Sequence, residues 1–205
     1  MTIIGLMGNQ GVGKTTVLKL FVDYIEQSKI QKIEGGIDCK IEKVDFKGET
    51  EIPVQESEGY TKTVTPNKVV FIETATSTSH TLFAPGGDRD RAVVRMGIIT
   101  ISRIAKQVIA LFDVSQNIKE QFKLYDLIRY LPKSVYVCLN KYDLLDPKDA
   151  EKKIAKIKAE IDDYFGKRKI EIKNYFYTCA IDKPDFKKYN DNSARMILDI
   201  SLGRV

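Results

Sequence analysis

The chain is short of several things, and each shortage closes off a class of function. It holds a single histidine, His80, in what reads as a turn or strand edge, with nothing nearby to make it a metal ligand or a general base. It holds three cysteines, Cys39, Cys138 and Cys179, an odd count without metal-ligand spacing. Reduced thiols of a cytoplasmic protein are the expectation, rather than a disulfide scaffold or a zinc module. No apolar run approaches the roughly 18 residues of a membrane-spanning helix. The first apolar stretch starts almost at Met1, which leaves no room for a signal peptide. Thr2 stands where myristoylation needs glycine, and Leu202-Gly203-Arg204-Val205 has no cysteine to prenylate, so no direct membrane anchor is expected. A basic stripe is missing too. The 33 Lys and Arg face 28 Asp and Glu, a net charge of +5, and the lysines sit among acids as in Lys40-Ile41-Glu42-Lys43. That is a solvated surface, and no nucleic-acid partner is expected. With 205 residues, 43% hydrophobic and 30% charged, and no biased segment, the chain fits one domain, 1–205, with an ample core.

What is present is concentrated at the amino terminus. Gly8-Asn9-Gln10-Gly11-Val12-Gly13-Lys14-Thr15 is a complete G-x-x-x-x-G-K-[ST] phosphate loop. Thr2–Met7 before it has strand length. Thr16 and the residues after it place Val17, Leu18, Phe21, Val22 and Ile25 at helical spacing. Strand, glycine loop and helix together make a phosphate site. The glycines let backbone N–H groups wrap the phosphates, and the helix terminus adds partial positive charge. Lys14 is placed to reach the outer phosphates, and the Thr15 hydroxyl to ligate Mg²⁺. A bound nucleoside triphosphate follows.

A second motif names the base. Ser134–Leu139 reads as a buried strand and delivers Asn140-Lys141-Tyr142-Asp143 at its carboxyl end. A carboxylate at Asp143 can accept both the ring N1–H and the exocyclic amine of guanine, a pairing adenine does not offer. Asn140 would hold the loop and meet the base edge, and the Lys141 stem would cover one face of the ring.

With both motifs in place, the chain resembles a Ras-like small GTPase, and the prokaryotic MglA-type branch more than Ras or Rab. The resemblance runs over nearly the whole chain. It implies an α/β P-loop NTPase sandwich of three layers, with a mostly parallel sheet covered by helices on both faces. Lys68–Glu73 and His80–Phe83 read as paired strands, Val108–Asp113 as the next, and about 118–131 as a helix. Pro147–Phe165 follows as a helix with Ile154, Ile157 and Ile161 on one face, then a strand near 170–177 and a helix near 192–202. Thr178-Cys179-Ala180 falls where the family carries an S-A-K-like turn supporting guanine, so Cys179 and Ala180 map onto its first two positions. Ile181 replaces the lysine, and one ring-stacking group is lost.

The switches fit less well. The resemblance assigns Thr63 to the first switch, as a Mg²⁺ ligand and γ-phosphate sensor, with Thr65 as a competitor. The run from Lys14 to Thr63 is much longer than in Ras and similar to MglA-type proteins. Its extra segment, about 31–60, alternates Ile37, Cys39 and Ile41, then Val44 and Phe46, turns at Lys47-Gly48, and resumes with Ile52 and Val54. That reads as an inserted hairpin before switch I, either a plain edge pair or a partner-binding surface. In the second switch, Gly86 matches the glycine whose N–H contacts the γ-phosphate, and Ala84-Pro85-Gly86-Gly87 resembles the T-P-G-Q of the MglA branch. Phe83 stands at the usual aspartate position. Gly87 stands where a glutamine normally orients the attacking water, so intrinsic hydrolysis should be slow. Gln10 in the phosphate loop, or Arg89, Arg91 or Arg95, are the substitutes available, against plainer readings as surface residues.

The expectation is a nucleotide-dependent switch that binds GTP or GDP with Mg²⁺, hydrolyses GTP, and meets an effector or activating protein through its switches, with dimerisation across the switches left open. Two rivals stand beside it. One is a GTP-loaded scaffold that barely hydrolyses. The other is a P-loop ATPase using Asp113 at the end of a Walker B-like strand.

Overall fold

The computed structural model describes residues 1–48 and 65–205. Its sheet is built on short apolar runs that are buried on both sides. β1 (Thr2–Met7), β5 (Gln107–Asp113) and β6 (Ser134–Asn140) are the central ones. In β5, Val108, Ala110 and Phe112 face one layer while Ile109 and Leu111 face the other, so the strand has no polar face to show. β2 (Cys39–Asp45), β3 (Asn67–Glu73), β4 (Thr78–Ala84) and β7 (Glu171–Tyr177) complete it. The spatial order is β2-β3-β4-β1-β5-β6-β7. β1 pairs in parallel with β4 and β5, β5 with β6, and β6 with β7, whereas β3 runs against both neighbours.

Among the described residues, five α-helices cover the two faces. α1 (Lys14–Glu26) and α5 (Lys187–Leu202) pack on one, around Phe21, Phe71, Leu111 and Ile197. α2 (Ala92–Ile104), α3 (Ile118–Asp126) and α4 (Ala150–Lys167) pack on the other, around Phe112, Tyr125, Ile161 and Phe165. Their loops gather at the carboxyl ends of the parallel strands, where such sheets bind ligands. Beneath those loops the Tyr125 hydroxyl lies 3.0 Å from the Met7 carbonyl and 3.2 Å from that of Leu111, tying β1 to β5 just before the glycine turn.

Several elements differ from the sequence expectation. α4 runs Ala150–Lys167 rather than Pro147–Phe165. α3 stops at Asp126 instead of running to about 131, because Arg168 reaches over from the end of α4 and takes the carbonyls of Tyr125 at 2.7 Å and Ile128 at 2.8 Å. α5 begins at Lys187, a turn earlier than expected. His80 lies inside β4, 2% exposed and stacked on Phe71 at 5.0 Å, rather than at a turn or edge. Burial pushes its imidazole below the usual histidine range, with the amino-terminal charge adding to the effect, so it is a neutral core ring.

The hairpin expected before switch I is described in its first arm alone. That arm, β2, pairs with β3, and Glu42 is the extra residue of a bulge between Ile41 and Lys43. The second arm at Ile52 and Val54, and Thr63 itself, lie outside the described residues. Among the described residues no helix is long and apolar enough to cross a membrane, and no three His, Cys, Asp or Glu gather as a metal cluster. The three cysteines are free and buried.

Candidate functional site

The phosphate loop forms as its sequence demands. Gly11 and Gly13 take left-handed backbone angles, φ 77° and 97°. At Gly13 a Cβ would also fall 2.3 Å from Asn140 Nδ2, so no side chain fits there on either count. Gly13 is the N-cap of α1 and offers no side-chain cap, in contrast to α3, where the Asn117 side chain accepts from Lys119 N. The first N–H groups of α1 are thus left for an anion. Lys14 folds back on its own loop, its Nζ donating to the carbonyls of Gly8 and Asn9, both at 2.7 Å. Burial pushes its ammonium down to about 7.

Next to it, Asn67 at the start of β3 donates from Nδ2 to the Thr15 hydroxyl at 2.9 Å. Phe83, where the resemblance places an aspartate, supplies no carboxylate, and a neutral amide orients the Thr15 hydroxyl.

The N-K-x-D loop is bound to the phosphate loop directly. Asn140 Nδ2 donates to the Val12 carbonyl at 2.8 Å, and Asn140 Oδ1 accepts from the Thr178 hydroxyl at 3.0 Å. One amide thereby joins three loops, which leaves a single N–H of Nδ2 for a base edge. Lys141 adopts φ 63°, and its Nζ stands 2.7 Å from Asp113 Oδ2. The other oxygen of Asp113 takes the Ser115 N–H at 2.9 Å and its hydroxyl at 2.6 Å. Asp113 is buried, outside the cleft lining, and committed to these partners.

Asp143 forms an ion pair with Lys183. Burial pushes its carboxyl up, but the hydrogen bonds from Lys183 and Cys179 and the lysine's charge outweigh that and hold it below the usual carboxylate range. The turn behind it is held by α5: Asn190 Nδ2 donates to the carbonyls of Cys179 at 2.6 Å and Ile181 at 2.8 Å. The Cys179 thiol is pushed up to about 11 by burial and by Asp143, so it stays protonated.

A single cleft of about 260 Å³ connects these parts. Gln10, Gly11, Gly13, Lys14, Thr15 and Thr16 line one end, and Asn140, Lys141, Asp143, Ala180 and Ile181 the other. Gly8, Asn9, Val12 and Cys179 are outside the lining; their carbonyls hold Lys14, Asn140 and Asn190, and the Cys179 thiol also reaches Asp143. In the segment that the resemblance assigns to the second switch, Gly87 lines the cleft, while Gly86 is buried. A Cβ on Gly87 would fall 2.1 Å from Gln10 N and 2.3 Å from the Asn9 carbonyl carbon, so this turn lies directly on the phosphate loop. Thr65 is exposed and away from the lining. Arg91 pairs with Asp88 at 3.1 Å and Arg95 donates to the Arg89 carbonyl at 3.2 Å; none of the three arginines lines the cleft.

Sequence reasoning missed Lys183 and Leu144, both in the lining. Lys183 stands two residues beyond Ile181, where the resemblance expects a lysine, a signal that counting strictly by motif register passes over.

No family model matches the chain, and no curated protein does. Solved structures do. A bacterial selenocysteine-specific elongation factor, EF-Sec, superposes with a TM-score of 0.61 at 12% identity, over 100% of this chain and 29% of that one. Elongation factor SelB from Methanococcus maripaludis, in complex with the GTP analogue GppNHp, gives 0.60 at 11% identity, over 98% of this chain and 34% of its own. A complex of SsGBP with GDP gives 0.51 at 13%, over 98% and 51%. At these identities the likeness is one of fold, and this chain spans about a third of the length of either elongation factor. The fold, a mostly parallel sheet with helices on both faces, is similar to that of the matched part of these proteins.

Proposed function

We propose that the chain is a Ras-like small GTPase that binds GTP and GDP and hydrolyses GTP slowly. The observation that carries this reading is the single cleft with a phosphate loop at one end and the Asp143 carboxylate at the other. Its dimensions and polarity suit a nucleotide laid across the ends of β1 and β6. The α1 N-terminus and Lys14 would take the phosphates, and Asp143 the N1–H and amine of guanine. Solved structures of similar fold are described with GppNHp and with GDP, which supports a guanine nucleotide as the occupant.

The donor set also fits magnesium, which keeps several waters and takes one or two protein oxygens besides substrate phosphates. The Thr15 hydroxyl, held by Asn67, would be one ligand, and Thr63 the other. When bound, the ion would neutralise charge on the phosphate oxygens. Lys14 would leave the carbonyls of Gly8 and Asn9 to do the same on the outer phosphates. A γ-phosphate at the loop would lift the Gly87 turn off Asn9 and Gln10, and its loss would let the turn settle back, a two-state element of the kind that switches use. Effector or activating proteins would read that change. The Ala84–Gly87 segment and the long run before Thr63 favour the MglA-type branch. A cytoplasmic location accompanies this reading.

Gly87 has no side chain with which to orient water, and that favours a second reading, a GTP-loaded scaffold. Single-turnover hydrolysis of bound GTP separates the two. A rate on the order of 10⁻⁴–10⁻³ s⁻¹, as for an unassisted small GTPase, supports the switch, and no turnover over a day supports the scaffold. The ATPase reading needs Asp113, which is already held by Ser115 and Lys141. Competition binding tests the base: GDP should exclude ADP by orders of magnitude, and Asp143→Ala should abolish that preference. Equal affinity for ADP and GDP in the unmodified protein would falsify the guanine reading.

A further inference from the structure

Lys183 occupies the guanine end of the cleft. Its ammonium lies on Asp143 Oδ2, and its stem contributes to the cleft wall. Asp143 is thereby capped, its side chain only 3% exposed beside a lysine that is 40% exposed. The backbone around the lysine is fixed, since Lys183 N donates to Asn190 Oδ1 at 3.3 Å. The side chain has a second seat within reach: Nζ already stands 5.9 Å from the Phe186 ring centroid, at the limit of a cation–π contact.

Guanine needs both carboxylate oxygens of Asp143, one for N1–H and one for the amine. The ammonium holds one of them. We propose that Lys183 is an internal latch on the base pocket, which closes on Asp143 when the cleft is empty and must swing away, toward Phe186, before guanine can enter. The inference rests on the guanine-nucleotide reading above. A latch of this kind keeps a buried carboxylate paired in the empty protein, where an unpaired one is costly. It reduces the fraction of molecules ready to bind, and apparent association falls by that fraction.

The position of the barrier sets the test. A latch stabilises the empty state and leaves the filled one alone, so removing it should act on association. Stopped-flow binding of a fluorescent GDP analogue to Lys183→Met at pH 8 should show an association rate raised roughly three- to tenfold, the range of a partly exposed pair closing on a buried partner. Dissociation should stay within about twofold. Lys183→Arg keeps the cation and should stay near the unmodified protein. Added salt should narrow the gap between the unmodified protein and Lys183→Met, since the pair is partly screened. An unchanged or slower association in Lys183→Met, or a faster dissociation, overturns the latch and makes Lys183 a support for the bound base. Absence of binding by both proteins overturns the guanine reading and the latch with it.

Discussion

Lys14 is held at about 7 by burial, so near neutral pH its ammonium and amine forms coexist. The direction of the linkage follows. An unfolded lysine, near 10.5, binds more protons than the folded one between about 7 and 10.5, so the empty protein gains stability as pH rises through that window. Phosphates reverse the shift by favouring the charged form. We predict that GDP binding at pH 8 takes up about one proton, falling toward zero near pH 6, where Lys14 is already charged. Calorimetry in two buffers of different ionisation enthalpy reads this directly, and proton release at pH 8 would refute it.

Gly87 makes a second prediction at this scale. A glutamine restored there would place its Cβ 2.1 Å from Gln10 N, so the turn has to rise off the phosphate loop. Gly87→Gln is therefore expected to speed amide exchange at Gln10 and over 86–89 by about tenfold or more, a loss of roughly a kcal/mol or more of local closure. Unchanged protection would mean that the turn was never seated on the loop in solution.

Elements matter here through what they hold. α5 lies on the far side of the sheet from α2, α3 and α4, yet its Asn190 fixes the turn at 179–181 by two carbonyls. Asn190→Ala should cost about 1 kcal/mol of stability, since the carbonyls of Cys179 and Ile181 would keep only the longer bonds from Ser193 Oγ at 3.3 Å and Cys179 Sγ at 3.2 Å. It should also weaken GDP several-fold by loosening Ala180 and Ile181. Denaturant melts and binding measured on the same sample check both, and a loss of stability with unchanged GDP affinity would detach α5 from the site.

The legibility of the sequence divides along similar lines. β1, β5 and β6 could be read because strands buried on both faces leave continuous apolar runs, and the two nucleotide motifs follow β1 and β6 directly. What escaped was set by contacts distant in sequence. The end of α3 depends on Arg168, 40 or more residues away, and the early start of α5 on the turn that Asn190 supports. His80 sits among polar neighbours, Ser79 and Thr81, so its local pattern gave no hint of a place between β3 and β1. Lys183 was invisible for a different reason: its role is a pairing across loops, which no spacing rule encodes.

For the whole molecule, a ligand that bridges the phosphate loop, the N-K-x-D loop and the turn at 178–181 joins both halves of the sheet. At a concentration about 100 times its dissociation constant it stabilises by about 2.7 kcal/mol. In a domain of 205 residues that corresponds to a rise in melting temperature of roughly 5–10 °C. Guanine nucleotides with magnesium should produce it, and adenine nucleotides at equal concentration should not. A thermal shift with ADP matching that with GDP would count against the whole assignment.

The bulge at Glu42 matters beyond its own strand. Among the described residues β2 is the outer strand on one side of the sheet, and Lys40, Glu42 and Lys43 all lie exposed along it while the extra residue breaks the rhythm of its ladder. The outer strand on the other side, β7, shows Glu171, Lys173 and Asn174 to water in the same way. Each border of the sheet is thereby charged, and one of them is kinked as well. Two molecules meeting side by side find no smooth, neutral margin on which to zip together, and crowded copies are discouraged from fibril-like stacking.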